Sequence, residues 1–374
     1  MFTRRMTLAG AGALAALPLA GQTAARTKAS GWYDQAIVID GLGGLGDPYG
    51  EPDHSRLSDR VIAEMMQTGV TVLRDTVMPV GNVTDPWGEY QKGADQFRQI
   101  FAANPDRLLL VRSAADILKA KREKRFGVVV GTQDTCMVGP ELDRIAEMKK
   151  DGVLSLQLTY NNGNLAGDGA LEPRDGGLTK LGRATIERIE AEKLLLDLSH
   201  GGARTMAEAA AHAKRPMVNS HTGARALTEH PRNTADSTIR AVSDKGGVTG
   251  VYFMPFLAPS QKPTGDELIA HIEHVARVAG EDHVGLGTDN GVLPVVLDEK
   301  SKKAMDDWTL MRIQRGIAAP GEAVGVYTLV EAYNSLDRYR RIADDLAKRG
   351  WSQARLEKLM GGNFLRVYGE AWGG

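Results

Sequence analysis

Leu194-Leu195-Leu196-Asp197-Leu198-Ser199-His200-Gly201-Gly202 begins as an apolar run of the length of a strand buried on both faces, then breaks into a histidine and two glycines. A second unit of the same shape follows at Pro216-Met217-Val218-Asn219-Ser220-His221-Thr222-Gly223. Each histidine stands just past a short apolar strand, and the sequence between them is helix-forming. This repetition predicts a parallel α/β protein, a (β/α)8 TIM-like barrel, whose strand ends at the carboxyl face carry the active site.

The rest of the chain keeps the same rhythm. Buried strands are predicted at 36–39, 70–73, 108–111, 126–130, 153–158, 194–198, 217–219, 248–253 and 284–287. Helical periodicity fills 140–150, 178–192, 205–213 and 234–245, so the pattern is one of βα units. Nine runs compete for eight barrel slots, and 108–111 is read as the extra one. Stretches 338–348 and 352–359 read as closing helices, with a terminal turn and helix at 361–367. No low-complexity linker divides the mature chain, which predicts one domain over 31–374.

Composition narrows the function classes. The 46 basic and 47 acidic residues form no basic stripe, so a nucleic-acid partner is not expected. One cysteine, Cys136, excludes an intrachain disulfide framework. Residues 1–25 read as an export signal: Arg4-Arg5 forms a twin-arginine pattern before an apolar stretch over 8–19 that is too short to span a bilayer. A mature protein in the periplasm with no membrane anchor is the expectation.

Polar residues fall where a barrel site needs them. Asp40-Gly41-Leu42-Gly43-Gly44 follows the first strand, Gly131-Thr132-Gln133-Asp134 a later one, and Thr159-Tyr160-Asn161-Asn162 the next. The last barrel strand ends in Gly287-Thr288-Asp289. Two neutral imidazoles, His200 and His221, with a carboxylate could hold one divalent metal and leave a position open for water. Asp289 could be a ligand or the base that takes the water's proton. The plainer reading is that each histidine caps its strand through backbone hydrogen bonds. Arg232, in the loop after His221, suits a substrate carboxylate, with pairing to Asp236 or to loop carbonyls as the alternative. His271 and His274 stand at a three-residue spacing that could make a surface metal site but are read as a solvated helix face, and His54, His212, His230 and His283 as surface residues. Met65 and Met66 are expected in the core.

Together Asp197-Leu198-Ser199-His200, Ser220-His221, Arg232-Asn233, Gly285-Leu286-Gly287-Thr288-Asp289 and Gly361-Gly362-Asn363-Phe364 resemble, in order and spacing, the membrane (renal) dipeptidase family of zinc peptidases. The likeness runs from about residue 36 to the C-terminus, and the segment 161–178 resembles a bacterial branch. It implies a barrel with two zinc ions bridged by a carboxylate and a hydroxide. His200 and His221 would ligate one zinc, Asp289 would be the acid/base residue, and Arg232, with Asn233, would bind the substrate's terminal carboxylate. Homodimers are common in the family.

Three positions depart from that pattern. The family's first strand ends in Asp-Gly-His-Asn-Asp, whose His and second Asp bind the other zinc, yet Leu42 and Gly44 stand there in this chain. The bridging glutamate falls at Gln133, and the substrate-polarising histidine falls at Tyr160, whose hydroxyl can still donate to an oxyanion. The expected complement is therefore one zinc rather than two, held by His200 and His221 with help from Gln133, Asp289 or water, and with Asp134 or Asp47 as substitutes from nearby loops. The expected activity is metal-dependent hydrolysis of a dipeptide or related small amide carrying a carboxylate. The alternatives are a metal-free enzyme using the same pocket for proton transfer or isomerisation, and a binding protein that has lost catalysis.

Overall fold

Eight parallel strands close on themselves in the computed structural model, which describes residues 31–49 and 55–373. The expected export signal and His54 lie outside the described residues. The strands are β1 (Ile39–Asp40), β2 (Val72–Thr76), β3 (Phe126–Thr132), β4 (Val153–Gln157), β5 (Leu195–Asp197), β6 (Val218–Thr222), β7 (Val248–Val251) and β8 (Val284–Leu286). Each pairs with the next, and Asp40 opposite Leu286 closes the circuit between β1 and β8. The extra run is Leu108–Leu110, which pairs with Phe126–Val128 at the start of β3 while β4 pairs with Val130–Thr132 further along. It therefore flanks the wall without joining the circuit.

Local chemistry explains the elements. The β3 sequence FGVVVGT is buried throughout, as a strand covered on both faces must be. The helix Lys180–Ala191 starts where Thr179 accepts the Gly182 amide, and Gly265–Ala279 starts with a capping box between Thr264 and Glu267. The Gly361-Gly362-Asn363-Phe364 motif docks the C-terminal segment beneath the barrel. A Cβ on Gly41 or Gly285 would lie 2.3 or 2.5 Å from the Phe364 ring, so both positions need glycine. Asn363 Nδ2 donates to the carbonyls of Val284 and Glu281, both at 2.8 Å. Met65 is in the core, but Met66, on the other face of its helix, is 38% exposed.

The barrel interior is not purely apolar. β2 runs past the predicted 70–73 and carries Arg74 inward, fully buried. Its guanidinium pairs with Asp197 on β5 and donates to Ser220 Oγ at 3.1 Å on β6 and to the Thr132 carbonyl at 2.6 Å on β3. Burial would raise the Asp197 pKa, but Arg74 and the neighbouring hydrogen bonds outweigh it and hold the carboxyl below its usual range. Replacing Arg74 with Met should cost about 3–5 kcal/mol, because it leaves Asp197 charged and unpaired in the barrel. A smaller shift in the urea midpoint would show that the pair is dispensable.

Candidate active site

His200 stands three residues past the end of β5 and sits at φ +65°, a strained conformation for a non-glycine residue. His221 lies within β6. Their Nε2 atoms face each other at 2.9 Å. The partners of the other ring nitrogens fix the tautomers. Ser220 Oγ donates its one hydrogen to Asp197 at 2.5 Å, so at its 2.8 Å contact with His221 Nδ1 it must accept. Asn161 Nδ2 donates to the Ile317 carbonyl at 2.8 Å, which turns Asn161 Oδ1 toward His200 Nδ1 as an acceptor at 2.6 Å. Both histidines therefore carry hydrogen on Nδ1 and present bare Nε2 lone pairs to each other. Burial, then the positive charge of Arg232, holds both well below their ordinary pKa and keeps them neutral. Two lone pairs 2.9 Å apart repel unless a cation lies between them, and neutral Nε2 with an anchored Nδ1–H is the form that ligates metals.

The cavity beside the His200 ring, with His221 buried behind it, has a volume of about 210 Å³, below the range usual for drug-sized ligands, so it admits only a small substrate. Gln133, Tyr160, His200, Arg232 and Asp289 line it. The Tyr160 ring stacks on His200 at a 4.3 Å centroid distance. Asp289 stands at φ +57°, with its amide donating to the Leu42 carbonyl at 2.9 Å. Burial raises its pKa to about 6, partly offset by Arg232 and Arg312. No protein group among the described residues hydrogen-bonds its carboxylate.

Arg232 is buried and forms no ion pair among the described residues, and its Nη2 has no partner. Asp236, its alternative partner in the sequence, instead bonds His274 Nε2 at 2.8 Å. A desolvated guanidinium left open at a cavity wall is set for a carboxylate. Asn233, expected beside the substrate, does not line the cavity. Its Nδ2 donates to the Thr228 and Phe256 carbonyls and its Oδ1 accepts from Tyr252, so it shapes the loop that carries Arg232.

The two positions that depart from the family's first-strand pattern have structural places. Leu42 packs in the core and Gly44 pairs with Gly291 in a short parallel bridge. Among the described residues no group of three His, Cys, Asp or Glu side chains could hold a metal. Neither proposed substitute joins the histidines: Asp134 is committed to the amides of Gly81 and Cys136 and to Asn164, and Asp47 caps Tyr49. Among the described residues, His200 and His221 are thus the side chains whose free ring nitrogens could ligate an ion, and no third His, Cys, Asp or Glu joins them.

Three histidines differ from their sequence reading because buried polar groups must find partners. His271 is buried, accepting from the Ala224 amide and donating to the Leu257 carbonyl, and His274 is buried beside Asp236. His230 is also buried, stacked on Phe256, with Nε2 donating to the Pro320 carbonyl at 2.8 Å. Sequence reasoning missed Arg312, which reaches the cavity from the helix Glu299–Gln314 and donates to Tyr160 Oη at 2.7 Å. That helix has no fully buried residue, so its apolar pattern gave no signal.

A closed eight-stranded barrel with histidines and an aspartate at its carboxyl mouth defines the fold class of metal-dependent hydrolases. The model of the membrane dipeptidase family (peptidase family M19) matches residues 64–306, and the chain belongs to that family. It is 30% identical over 286 residues to a Klebsiella pneumoniae protein described as uncharacterized, in the pqqA 5′ region, covering 74% of this chain and 93% of that one. It is 24% identical over 264 residues to the dipeptidase verJ of Clonostachys rogersoniana, covering 70% of this chain but only 60% of that one. An amidohydrolase from Pseudomonas aeruginosa superposes with a TM-score of 0.77 at 28% identity, over 91% of this chain and 98% of that one.

Asn233→Ala should orphan the Thr228 and Phe256 carbonyls and lower stability by about 1–3 kcal/mol in urea unfolding. An unchanged midpoint with a weakened substrate affinity would return Asn233 to the substrate.

Proposed function

We propose that this chain is a hydrolase that cleaves a dipeptide or related small amide bearing a free carboxylate, using one zinc ion. The observation that carries the reading is the pair of bare, converging Nε2 atoms on His200 and His221, 2.9 Å apart. Family membership and the dipeptidases among its relatives support it. When bound there, zinc supplies a Lewis acid and acidifies water at its open position.

The chain's own residues supply the rest. Arg232 takes the substrate carboxylate, which sets the register of the scissile amide in the cavity. Asp289, with no protein partner among the described residues, takes a proton from the attacking water and returns it to the leaving amine. Tyr160, accepting from Arg312, has its own hydrogen free for the developing oxyanion. The Gln133 amide lines the cavity and is at most a neutral, weak ligand. We also read the protein as exported to the periplasm through Arg4-Arg5, and changing both to Lys should leave it in the cytoplasm.

Three measurements test the function. Protein purified without chelators or a metal-binding tag should carry about one zinc per chain, lost in His200→Ala, while two ions or none would overturn the one-ion site. Because Asp289 must be ionised to act and titrates at about 6, kcat/KM should fall about tenfold per pH unit below that value. Asp289→Asn should lower kcat by about 10²–10⁴-fold, and unchanged turnover would remove it from the proton path.

A further inference from the structure

The helix Glu299–Gln314 and the loop behind it cross the mouth of the barrel as a strap. Arg315 Nη2 donates to the Val80 carbonyl at 2.8 Å after β2. Asn161 Nδ2, after β4, donates to the Ile317 carbonyl, and His230 Nε2, after β6, donates to the Pro320 carbonyl. Three barrel loops thus hold one segment, and that segment brings Arg312 to the cavity.

Arg312 differs from Arg232 in one decisive way. Glu322 holds its guanidinium through two contacts, Nε to Oε2 at 2.6 Å and Nη2 to Oε1 at 2.8 Å. Glu322 is itself fixed by the Ala319 amide at 2.8 Å. The charge of Arg312 is therefore neutralised inside the strap, which leaves it poorly suited to a substrate carboxylate, whereas Arg232 has no such partner among the described residues. What remains is Nη1, donated to Tyr160 Oη at 2.7 Å. That bond occupies a lone pair of the phenol, so the hydroxyl hydrogen must point elsewhere. No protein acceptor for it is found among the described residues, and Tyr160 lines the cavity.

We propose that Arg312, clamped by Glu322, is a positioning residue that orients the Tyr160 hydroxyl as a hydrogen-bond donor into the cavity. The proposal rests on the reading of Tyr160 as oxyanion donor only for its kinetic consequence. The strap then does more than cover the site: its seating turns a tyrosine into a directed donor.

Two readouts separate this proposal from the function proposed above. In protein labelled with ¹³C at tyrosine Cζ, the resonance that disappears in Tyr160→Phe should move in Arg312→Gln and in Glu322→Gln, and move less in Arg312→Lys. A stationary resonance overturns the proposal whether or not the protein is active. Kinetically, Arg312→Gln and Tyr160→Phe should each lower kcat by about 100-fold with little change in KM, and the double variant should be no worse than either. Losses that multiply, or an Arg312 effect confined to KM, would overturn the positioning role. Absence of dipeptide turnover by the wild-type protein would instead sink the hydrolase reading, and the resonance would still decide the fate of Arg312.

Discussion

A guanidinium sealed inside a barrel has to be answered from several directions, and Arg74 is answered from β3, β5 and β6. Desolvating one ion of such a pair costs several kcal/mol, so the pair persists only where geometry and extra hydrogen bonds offset the loss. Here the offset comes from Asp197, which also accepts the amides of Ser199 at 3.0 Å and Ser220 at 3.1 Å. The same carboxylate takes the Ser220 hydroxyl, and that commitment makes Ser220 an acceptor for His221. The tautomer of the buried His221 imidazole is therefore set from the barrel core, with Ser220 alone between it and Arg74. It explains why aspartate stands at the inner end of Leu194-Leu195-Leu196-Asp197, where an apolar residue would otherwise fit.

The second histidine is fixed from the opposite side. Asn161 can accept from His200 only because its amide nitrogen is spent on the Ile317 carbonyl of the strap. Core and roof each lock one ring, and the two locks bring bare Nε2 atoms together. A neutral pair lacks the carboxylates that would offset a dication's charge, and Arg232 and Arg312 both border the same cavity. The site should thus hold an ion more weakly than one built with carboxylate ligands.

The fold was legible because its signal is repetition. Apolar runs ending in polar residues recur along the chain, and even the supernumerary run at 108–111 could be singled out. Strand ends were less legible: an apolar scan stops at Arg74, although the strand continues to Thr76, because partners from distant strands cannot be seen in sequence. The buried histidines misled for the same reason. His230 read as a surface residue and His271 and His274 as a solvated helix face, yet each is satisfied by a carbonyl or carboxylate at least 14 residues away. Arg312 had no motif at all, since it sits on a helix whose own face packs little.

Leu42 shows how backbone contacts hold a site residue without help from a side chain. Its side chain is buried and coordinates nothing, but its amide donates to Asp40 Oδ1 at 3.3 Å and its carbonyl accepts from Asp289. Asp289 adopts a left-handed backbone conformation that costs of order 1–3 kcal/mol, and the Leu42 carbonyl is one of the contacts that hold it. Asp40 in turn accepts the Thr288 amide at 2.8 Å and hydroxyl at 2.7 Å, so both residues before and at the turn are pinned to the first strand. None of these contacts depends on the side chain at position 42. The side chain at position 42 can therefore change and the backbone still present the carboxylate of Asp289 to the cavity.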